Sequence, residues 1–398
     1  MVRSNELPVE LWLEIFRCAT LDHYSHARYS TEYEPFDAPP PASEAADAEE
    51  TLHTKCALVQ VCKQWRRWTM PFLYEDIRVP RTYHDLKHKL CDGEHWAEHG
   101  ISIPPCQRFV RRALLPFSST VTPAPQTPPG ALDVIALCSA LEVLVRTADP
   151  LTPIVYDFAT PACPALPSLR RLDWWHHNEA ARTGGINSLA HVLAAAPALR
   201  YLSVGGELWQ SLFSARAPPA VLPALDTLRF RRCNALLVLQ LCRTAAFPAL
   251  RHVVFDHVGP AEMFWPLWDA AGAQLASAEL GRSLRFFAQD FVAAVLAGAP
   301  ALAALRYHVH FTHPPAPARD AVFLRTVALH AAPTAFCAPG SAEAWAHLER
   351  HFAALAGPAF PALREVRLHG DWAATAAADE FVRIARPLRE KGVVVDVP

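Results

Sequence analysis

The sequence predicts an α/β protein in which a small N-terminal helical module precedes an irregular array of parallel strands and helices. Two observations indicate this organisation. Two segments near the start carry apolar residues at helical spacing. From about residue 105 onward, one short motif with leucines at alternating positions recurs after short apolar segments. We therefore place one domain over residues 1–80 and a second over residues 81–398.

The first helical segment begins around Leu7. Pro8 suits the first turn of a helix, because its ring fixes φ and its missing N–H would have no partner there. Leu7, Leu11 and Ile15 recur at a spacing of four and form one stripe, which Trp12 widens. A stripe this wide has to be covered by another surface.

The second helical segment repeats apolar residues at spacings of three and four: Leu58, Val61, Cys62, Trp65 and Trp68. Pro71 is expected to end this helix before an extended stretch over residues 73–79. Two short helices cannot bury all of this apolar surface by themselves. A partner helix in the groove between them is therefore expected.

An insertion at about residues 21–50 separates the two segments. It contains the proline run 39–41 and an acidic run from Glu44 to Glu50. Polar, charged and proline-bearing stretches bury too little apolar surface to fold by themselves. We expect residues 22–50 to form a mobile and dispensable surface loop.

The order of these elements resembles the F-box, and the insertion is similar to those of fungal F-box proteins. The resemblance rests on Leu-Pro-x-Glu-Leu at residues 7–11, Val-Cys-x-x-Trp at 61–65 and a Leu-Tyr pair at 73–74. It implies a three-helix module that docks on the Skp-type adaptor of a cullin-based ubiquitin ligase. The residues that it implies for adaptor binding are Leu7, Pro8, Leu11, Ile15, Leu58, Val61, Cys62 and Trp65.

The recurring motif is Pro-x-Leu-x-x-Leu-x-apolar. Its clear copies have their first leucine at Leu169, Leu199, Leu225, Leu250 and Leu363, and degenerate copies have it at Leu141, Leu275, Leu302 and Leu324. Successive first leucines lie 22 to 39 residues apart, a spacing that for most copies is typical of leucine-rich repeats. One strand and one helix per copy cannot bury a core alone, which predicts a leucine-rich-repeat-like solenoid with a parallel sheet. The alternative, an alanine-rich helical bundle, does not explain the β-type runs.

Strand alternation sends positions four and six of each copy into the core and positions three, five and seven outward. Trp and Arg are frequent anchors of protein interfaces. The outward residues that we expect to bind a target are Trp175, Arg229, Arg231, Arg306, His308 and Arg367. Guanidinium groups favour a target with carboxylates, whereas a slip of one residue in register would turn the whole set inward.

Composition argues against several other classes. Residues 1–50 carry a net charge of −8 and the rest of the chain +6; neither value is typical of a nucleic-acid-binding domain, so nucleic acid is not an expected partner. The apolar run 291–305 is interrupted by Gly298 and Pro300, so a membrane span is not expected either. Ten cysteines without a C-x-x-C pair indicate free thiols. We expect a cytoplasmic or nuclear protein.

No catalytic motif occurs, and we predict no catalytic, cofactor-binding or metal-binding residue and therefore no enzyme. The histidine-rich tract 308–313 lacks the Cys or carboxylate ligands that would support a metal site. Two hypotheses remain. The first is a substrate-receptor subunit of an SCF-type ubiquitin ligase, bound to a Skp-type adaptor, the cullin complex and an unidentified target. The second is a leucine-rich-repeat interaction scaffold with no ubiquitin-ligase role, and an unrecognised hydrolase is a less favoured third.

Overall fold

The computed structural model describes residues 7–21, 25–37, 44–79, 84–91, 105–115, 130–146, 164–176, 187–208, 219–257, 260–282, 290–332 and 341–397. The proline run 39–41, which belongs to the predicted loop, lies outside the described residues. The chain forms two compact units. Unit 1 contains residues 1–31, 38–175 and 191–199, and unit 2 contains residues 32–37, 176–190 and 200–398.

The helices of unit 1 are α1 (Val9–Thr20), α2 (Ser25–Tyr29), α3 (Glu44–Val61), α4 (Lys63–Tyr74), α5 (His84–Cys91) and α6 (Gly130–Leu137), and α7 (Asn187–Ala195) crosses the division. α1 begins after Pro8, whose carbonyl accepts the N–H groups of Leu11 and Trp12. α1 packs on α4 through its aromatic side chains. The ring centroid of Trp65 lies 5.0 Å from that of Trp12 and 4.7 Å from that of Phe16.

The second helical segment differs from the prediction in two ways. It is not one helix, because Cys62 is extended and separates α3 from α4. The Cys62 Sγ accepts the backbone N–H of Trp65 at 3.4 Å and so caps α4. Pro71 does not end the helix either, since α4 continues to Tyr74. The side chains on both sides of this proline, Met70 and Phe72, are buried and hold the last turn in place.

The insertion also contains more regular structure than we expected. Residues 44–50, predicted as loop, form the first turns of α3. Residues 25–29 form α2, and the guanidinium of Arg171 donates to the carbonyl oxygens of Ala27 and Ser30 at 2.5 and 2.9 Å. The expectation that this whole stretch remains unpacked therefore fails for its described part.

All strands of the main sheet run parallel. Unit 1 supplies β1 (Asp76–Arg78), β2 (Arg112–Leu115), β3 (Val143–Arg146) and β4 (Arg171–His176), paired in this order. In unit 2 each strand pairs with the next in this order: β5 (Tyr201–Gly206), β7 (Thr227–Cys233), β9 (His252–His257), β10 (Ser277–Leu280), β11 (Ala304–His308), β12 (Thr326–His330), β13 (Glu365–His369) and β14 (Val394–Asp396). β6 (Ala220–Val221) and β8 (Ala245–Ala246) form a separate short pair.

Unit 2 contains the helices α8 (Ala235–Thr244), α9 (Trp265–Ala271), α10 (Phe291–Gly298), α11 (Ala342–Ala356), α12 (Ala373–Ala376) and α13 (Asp379–Glu390). Three of them begin with a side-chain cap. Asn234, Asp290 and Ser341 each accept the backbone N–H of the residue three positions later. These caps satisfy N–H groups that have no partner within the helix.

The predicted strand register is confirmed. A strand begins two residues after the first leucine in each of the nine copies. In β7, for example, Leu228 and Phe230 are fully buried, whereas Arg231 on the alternate face is half-exposed. The structure thus confirms an α/β fold with a large parallel sheet, and its core-facing side is set by the leucine positions of the motif.

Candidate functional site

An exposed apolar row lies on α1 of unit 1. Leu7, Leu11 and Ile15 are exposed by 36%, 50% and 46%, although leucine and isoleucine are normally buried. Leu11 and Ile15 lie one turn apart on α1 and therefore share one face of the helix, whereas Leu7 lies just before the helix, next to Pro8. The buried residue Phe16 lies on another face of α1, where this helix packs on α4. We call residues 7, 11 and 15 the apolar row; exposed apolar surfaces of this kind typically mark protein–protein interfaces.

The other residues implied for adaptor binding differ in exposure. Pro8, Val61 and Cys62 are exposed, whereas Leu58 and Trp65 are half-buried. The Trp65 ring is largely engaged by Trp12 and Phe16 within the helical module. Its main contribution is therefore to hold the helices together, and Val61, which is 58% exposed, offers more free apolar surface.

The outward strand face of unit 2 carries a continuous row of neighbouring residues. This central row consists of Arg229, Val254, Glu279, Arg306, Ala328 and Arg367, each paired in register with the next. A second row, the histidine row, consists of His308, His330 and His369 on β11, β12 and β13. Four of the six residues that we expected to bind a target lie in these two rows.

The chain's own residues 32–37, which we call the strap, lie on this face. The Tyr33 hydroxyl donates to Glu279 Oε2 at 2.5 Å, and the backbone N–H of Phe36 donates to the same oxygen at 2.8 Å. Burial raises the pKa of Glu279, while these two hydrogen bonds act in the opposite direction. Glu279 is thus the polar centre of the contact.

The Tyr33 ring fits between two side chains of the face. It stacks on the imidazole of His252 with centroids 4.9 Å apart and planes 9° from parallel. The guanidinium of Arg306 lies over the same ring, 4.8 Å from its centroid, in a cation–π arrangement. Arg306 is therefore a strap contact in this structure.

Phe36 packs against the whole histidine row. Its centroid is 5.2 Å from His308, 5.0 Å from His330 and 5.1 Å from His369. The backbone of Phe36 has φ of 59°, a left-handed conformation that costs a residue with a side chain on the order of 1–3 kcal/mol. Contacts with the strand face must compensate for this strain.

The histidine row is held in the neutral form. Burial, and next the neighbouring His330, lowers the pKa of His308 to about 3. Burial also lowers the pKa of His330 and His369. Three neutral imidazoles side by side present a largely apolar surface to the Phe36 ring.

Arg229 is buried, with only 5% of its surface exposed. Its Nε and Nη2 donate to Asp256 at 2.7 and 2.8 Å, and Nη2 also donates to the carbonyl of Asp37 at 2.9 Å. Arg231 donates from Nε to Ser203 Oγ at 2.8 Å. Our expectation that Arg229 is available to a target is thus not met, because its guanidinium group already donates to Asp256 and Asp37 of the same chain.

The two remaining candidates are more accessible. Arg367 is exposed and forms an ion pair with Glu365 at 2.8 Å. Trp175 is half-buried at the end of β4 in unit 1.

The histidine-rich tract splits where β11 ends. His308 is the last residue of that strand, and His310 lies in a 3₁₀ turn over Val309–Phe311, so the two do not share a strand face as we expected. His310 instead faces His347, while His351 Nε2 donates to the backbone carbonyl of Thr312 at 3.0 Å and its Nδ1 accepts from the Tyr307 hydroxyl at 3.1 Å. Among the described residues, no three His, Cys, Asp or Glu side chains are arranged to hold a metal ion.

A pocket of about 390 Å³ opens in unit 1 beside β1. Arg28, Lys55, Arg78 and Lys89 line it, together with one carboxylate, Asp76. Asp76 is paired with Arg112 at 2.6 Å. The charge of this pocket favours anions over cations.

No protein-family model matches this chain, and no curated protein sequence matches it. Within the part of the chain that the structure describes, every helix is too short or too polar to cross a lipid bilayer.

Sequence reasoning missed Tyr33, Phe36 and Glu279. The first two lie in the insertion that composition assigned to a loop, and the third lies in the degenerate copy that begins at Leu275. A signal for the strap was present, because aromatic residues are rare in stretches that stay disordered. Tyr33 and Phe36, three residues apart among acidic neighbours, should have indicated a segment that packs.

Proposed function

We propose that this chain is the substrate-receptor subunit of an SCF-type ubiquitin ligase. In this proposal residues 1–80 form an F-box module that binds a Skp-type adaptor and, through it, the cullin complex. Residues 81–398 form a leucine-rich-repeat-like solenoid that captures a target. The chain itself carries out no chemistry and needs no cofactor, because it acts by holding the target near the ubiquitin carrier. Such a complex would be cytoplasmic or nuclear.

The single observation that carries the proposal is the exposed apolar row on α1. Full burial of one leucine or isoleucine is worth about 1.5–3 kcal/mol, so Leu11 and Ile15 on one face of α1, with Leu7 just before the helix, are a costly surface to leave in water. A partner helix that lies against this face would remove the cost. The row coincides with Leu7, Leu11 and Ile15, which the F-box resemblance assigns to the adaptor.

Co-purification with a Skp-type adaptor tests this proposal. Replacing both Leu11 and Ile15 by Ala should weaken binding by about 2 kcal/mol or more per residue, which corresponds to about 30-fold each. Val382→Ala, at an equally exposed apolar position on α13 of unit 2, is the matched control and should leave binding unchanged. If the double variant keeps its thermal stability and still co-purifies at the wild-type level, the row is not the adaptor surface.

The alternative is a leucine-rich-repeat scaffold without a ubiquitin-ligase role. The engagement of Trp65 by Trp12 and Phe16 favours it, because a helical cap would also be built around such a cluster. In that case the wild-type chain would not co-purify with the adaptor, whereas the strand face of unit 2 would still bind a partner.

A further inference from the structure

We propose that the strap, residues 32–37, is an intramolecular stand-in for the target, and that the strand face of unit 2 recognises a peptide with two aromatic residues three positions apart beside acidic residues. This inference rests on the proposed function, because it names the kind of target segment that the receptor would capture. It also implies that the receptor surface is closed until the strap is displaced.

Two separate sites on the face select the aromatic residues. The first holds Tyr33 between His252 and Arg306, and Glu279 accepts its hydroxyl. The second holds Phe36 against the histidine row. The two residues between these anchors, Glu34 and Pro35, are exposed. The face therefore selects two aromatic residues three positions apart.

Other contacts hold the main chain and do not depend on side-chain identity. Glu279 accepts the backbone N–H of Phe36, and Arg229 donates to the backbone carbonyl of Asp37. Any peptide could supply both groups at these positions. A target segment with the right aromatic residues can thus reproduce the strap contacts without further resemblance.

Strain limits how firmly the strap closes the face. Phe36 is the one described non-glycine residue with positive φ, and this conformation opposes the contacts that hold it. The strap nevertheless has the advantage of tethering, which gives it an effective concentration on the order of millimolar for a short linker. A free peptide should therefore compete weakly with the wild-type strap and much better when the strap anchors are removed.

The chemistry of the Tyr33 site adds a discriminating feature. A phosphate on this tyrosine would bring a charge of about −1.5 to −2 to the position of a hydroxyl that donates to the Glu279 carboxylate. The phosphorylated segment loses the donated hydrogen bond and meets like charge. The site should therefore reject phosphotyrosine.

Binding of a fluorescent peptide with the sequence of residues 30–38 to the full-length chain tests the proposal. The variant with Tyr33→Ala and Phe36→Ala should bind the peptide at least about ten-fold more tightly than the wild type, since the tethered competitor is weakened. A peptide with Ala in place of both aromatic residues, and one with phosphotyrosine, should each bind at least about ten-fold more weakly. A folded double variant that does not bind the unmodified peptide overturns the proposal.

Hydrogen exchange on the wild-type chain keeps the proposal testable if that variant does not fold. The Phe36 amide, bonded to Glu279, should exchange at least about 100-fold faster than the amide of Leu329 in β12, because a displaceable strap opens without global unfolding. Equal exchange of the two amides would show that the strap is a permanent part of the fold and would overturn the proposal.

Failure of the two proposals can be told apart. The Tyr33→Ala and Phe36→Ala variant should co-purify with the adaptor as the wild type does, because both residues lie in unit 2 and the apolar row lies in unit 1. Peptide binding without adaptor binding would refute the ligase role and leave the peptide site in place. Adaptor binding without peptide binding would refute only the strap proposal.

Discussion

Arg229 illustrates how one contact changes the role of a charged residue. The motif predicts an outward arginine, and the strand does turn this side chain away from the core. Its guanidinium group nevertheless donates hydrogen bonds to Asp256 and to the carbonyl oxygen of Asp37 in the strap. The residue therefore supports the surface that we expected it to offer to a target. A charge reversal at this position would test folding rather than target capture.

Replacement of Arg229 by Ala should lower the free energy of unfolding by about 3–5 kcal/mol, because it leaves Asp256 without its partner in a largely buried setting. Arg367→Ala is the matched control in the same row. That side chain is exposed, and loss of its surface ion pair with Glu365 should cost less than about 1 kcal/mol. Urea unfolding of both variants measures the difference. Equal losses would mean that the Arg229 pair is no stronger than a surface pair.

At the residue level, the sequence predicted which side chains lie on the outward strand face of unit 2, but it did not predict that the strap packs on this face. The alternation of leucines correctly set the register, so that Arg306 and His308 lie on the outward side with Glu279 beside them. The contact between Tyr33 and Glu279 joins residues 246 positions apart in the chain. Local periodicity contains no information about such a contact, which depends on where the whole insertion runs.

Elements were predicted best where packing and local preference agree. In each of the nine motif copies, a strand begins two residues after the first leucine, as the alternation predicts. The break at Cys62 was missed because the apolar period continues through it, and cysteine is not among the usual N-cap residues. The extended backbone at this one residue divides a continuous pattern into α3 and α4.

Close packing between α9 and α10 explains a glycine at the end of a helix. A Cβ on Gly298 would lie 2.4 Å from ring atoms of Trp268. Trp268 is itself buried, so its ring has little room to move. A Cβ on Gly272, which follows α9, would lie 2.0 Å from the carbonyl oxygen of Gly298. Only residues without a Cβ allow the two helices to come this near.

Gly298→Ala should therefore destabilise the protein, although alanine favours helix by up to about 1 kcal/mol over glycine. The steric overlap with Trp268 should cost about 1–3 kcal/mol and exceed that gain. Ala297→Ser, at the exposed position next to it, is the control and should change stability by less than about 0.5 kcal/mol. Thermal unfolding of both variants provides the measurement. An increase in stability for Gly298→Ala would contradict the close helix contact.

At the scale of the whole molecule, the described histidines whose pKa is lowered all lie in unit 2. Burial, the largest cause in each case, lowers the pKa of a set of histidines: His252, His308, His310, His330, His347, His351 and His369. Glu279 acts in the opposite sense, because its raised pKa means that protonation relieves a buried charge. Among the described residues of unit 2, these seven histidines oppose protonation in the folded state and Glu279 favours it, so we expect the protein to lose stability in acid.

The sign of this effect follows from linkage. A histidine whose pKa is lower in the folded state binds its proton more readily when the protein is unfolded. Its contribution to stability is therefore complete above the pKa of the unfolded state, near 6.5. That contribution is lost as the pH falls toward the pKa of the folded state. For His308, with a folded pKa of about 3, the loss between pH 7 and pH 5 is about 2 kcal/mol. The unfolding temperature should therefore drop markedly over this interval.

His308→Gln removes one of these groups, and the variant should lose about 2 kcal/mol less than the wild type between pH 7 and pH 5. The exposed His53→Gln on α3 is the control and should follow the wild-type profile. Thermal unfolding at half-unit steps of pH measures all three proteins. Because His308 also contacts Phe36, the same variant should let the Phe36 amide exchange faster at neutral pH. A wild-type unfolding temperature that stays constant or rises from pH 7 to pH 5 would show that the histidines of unit 2 are not buried in their neutral form, and would remove the apolar site that Phe36 requires.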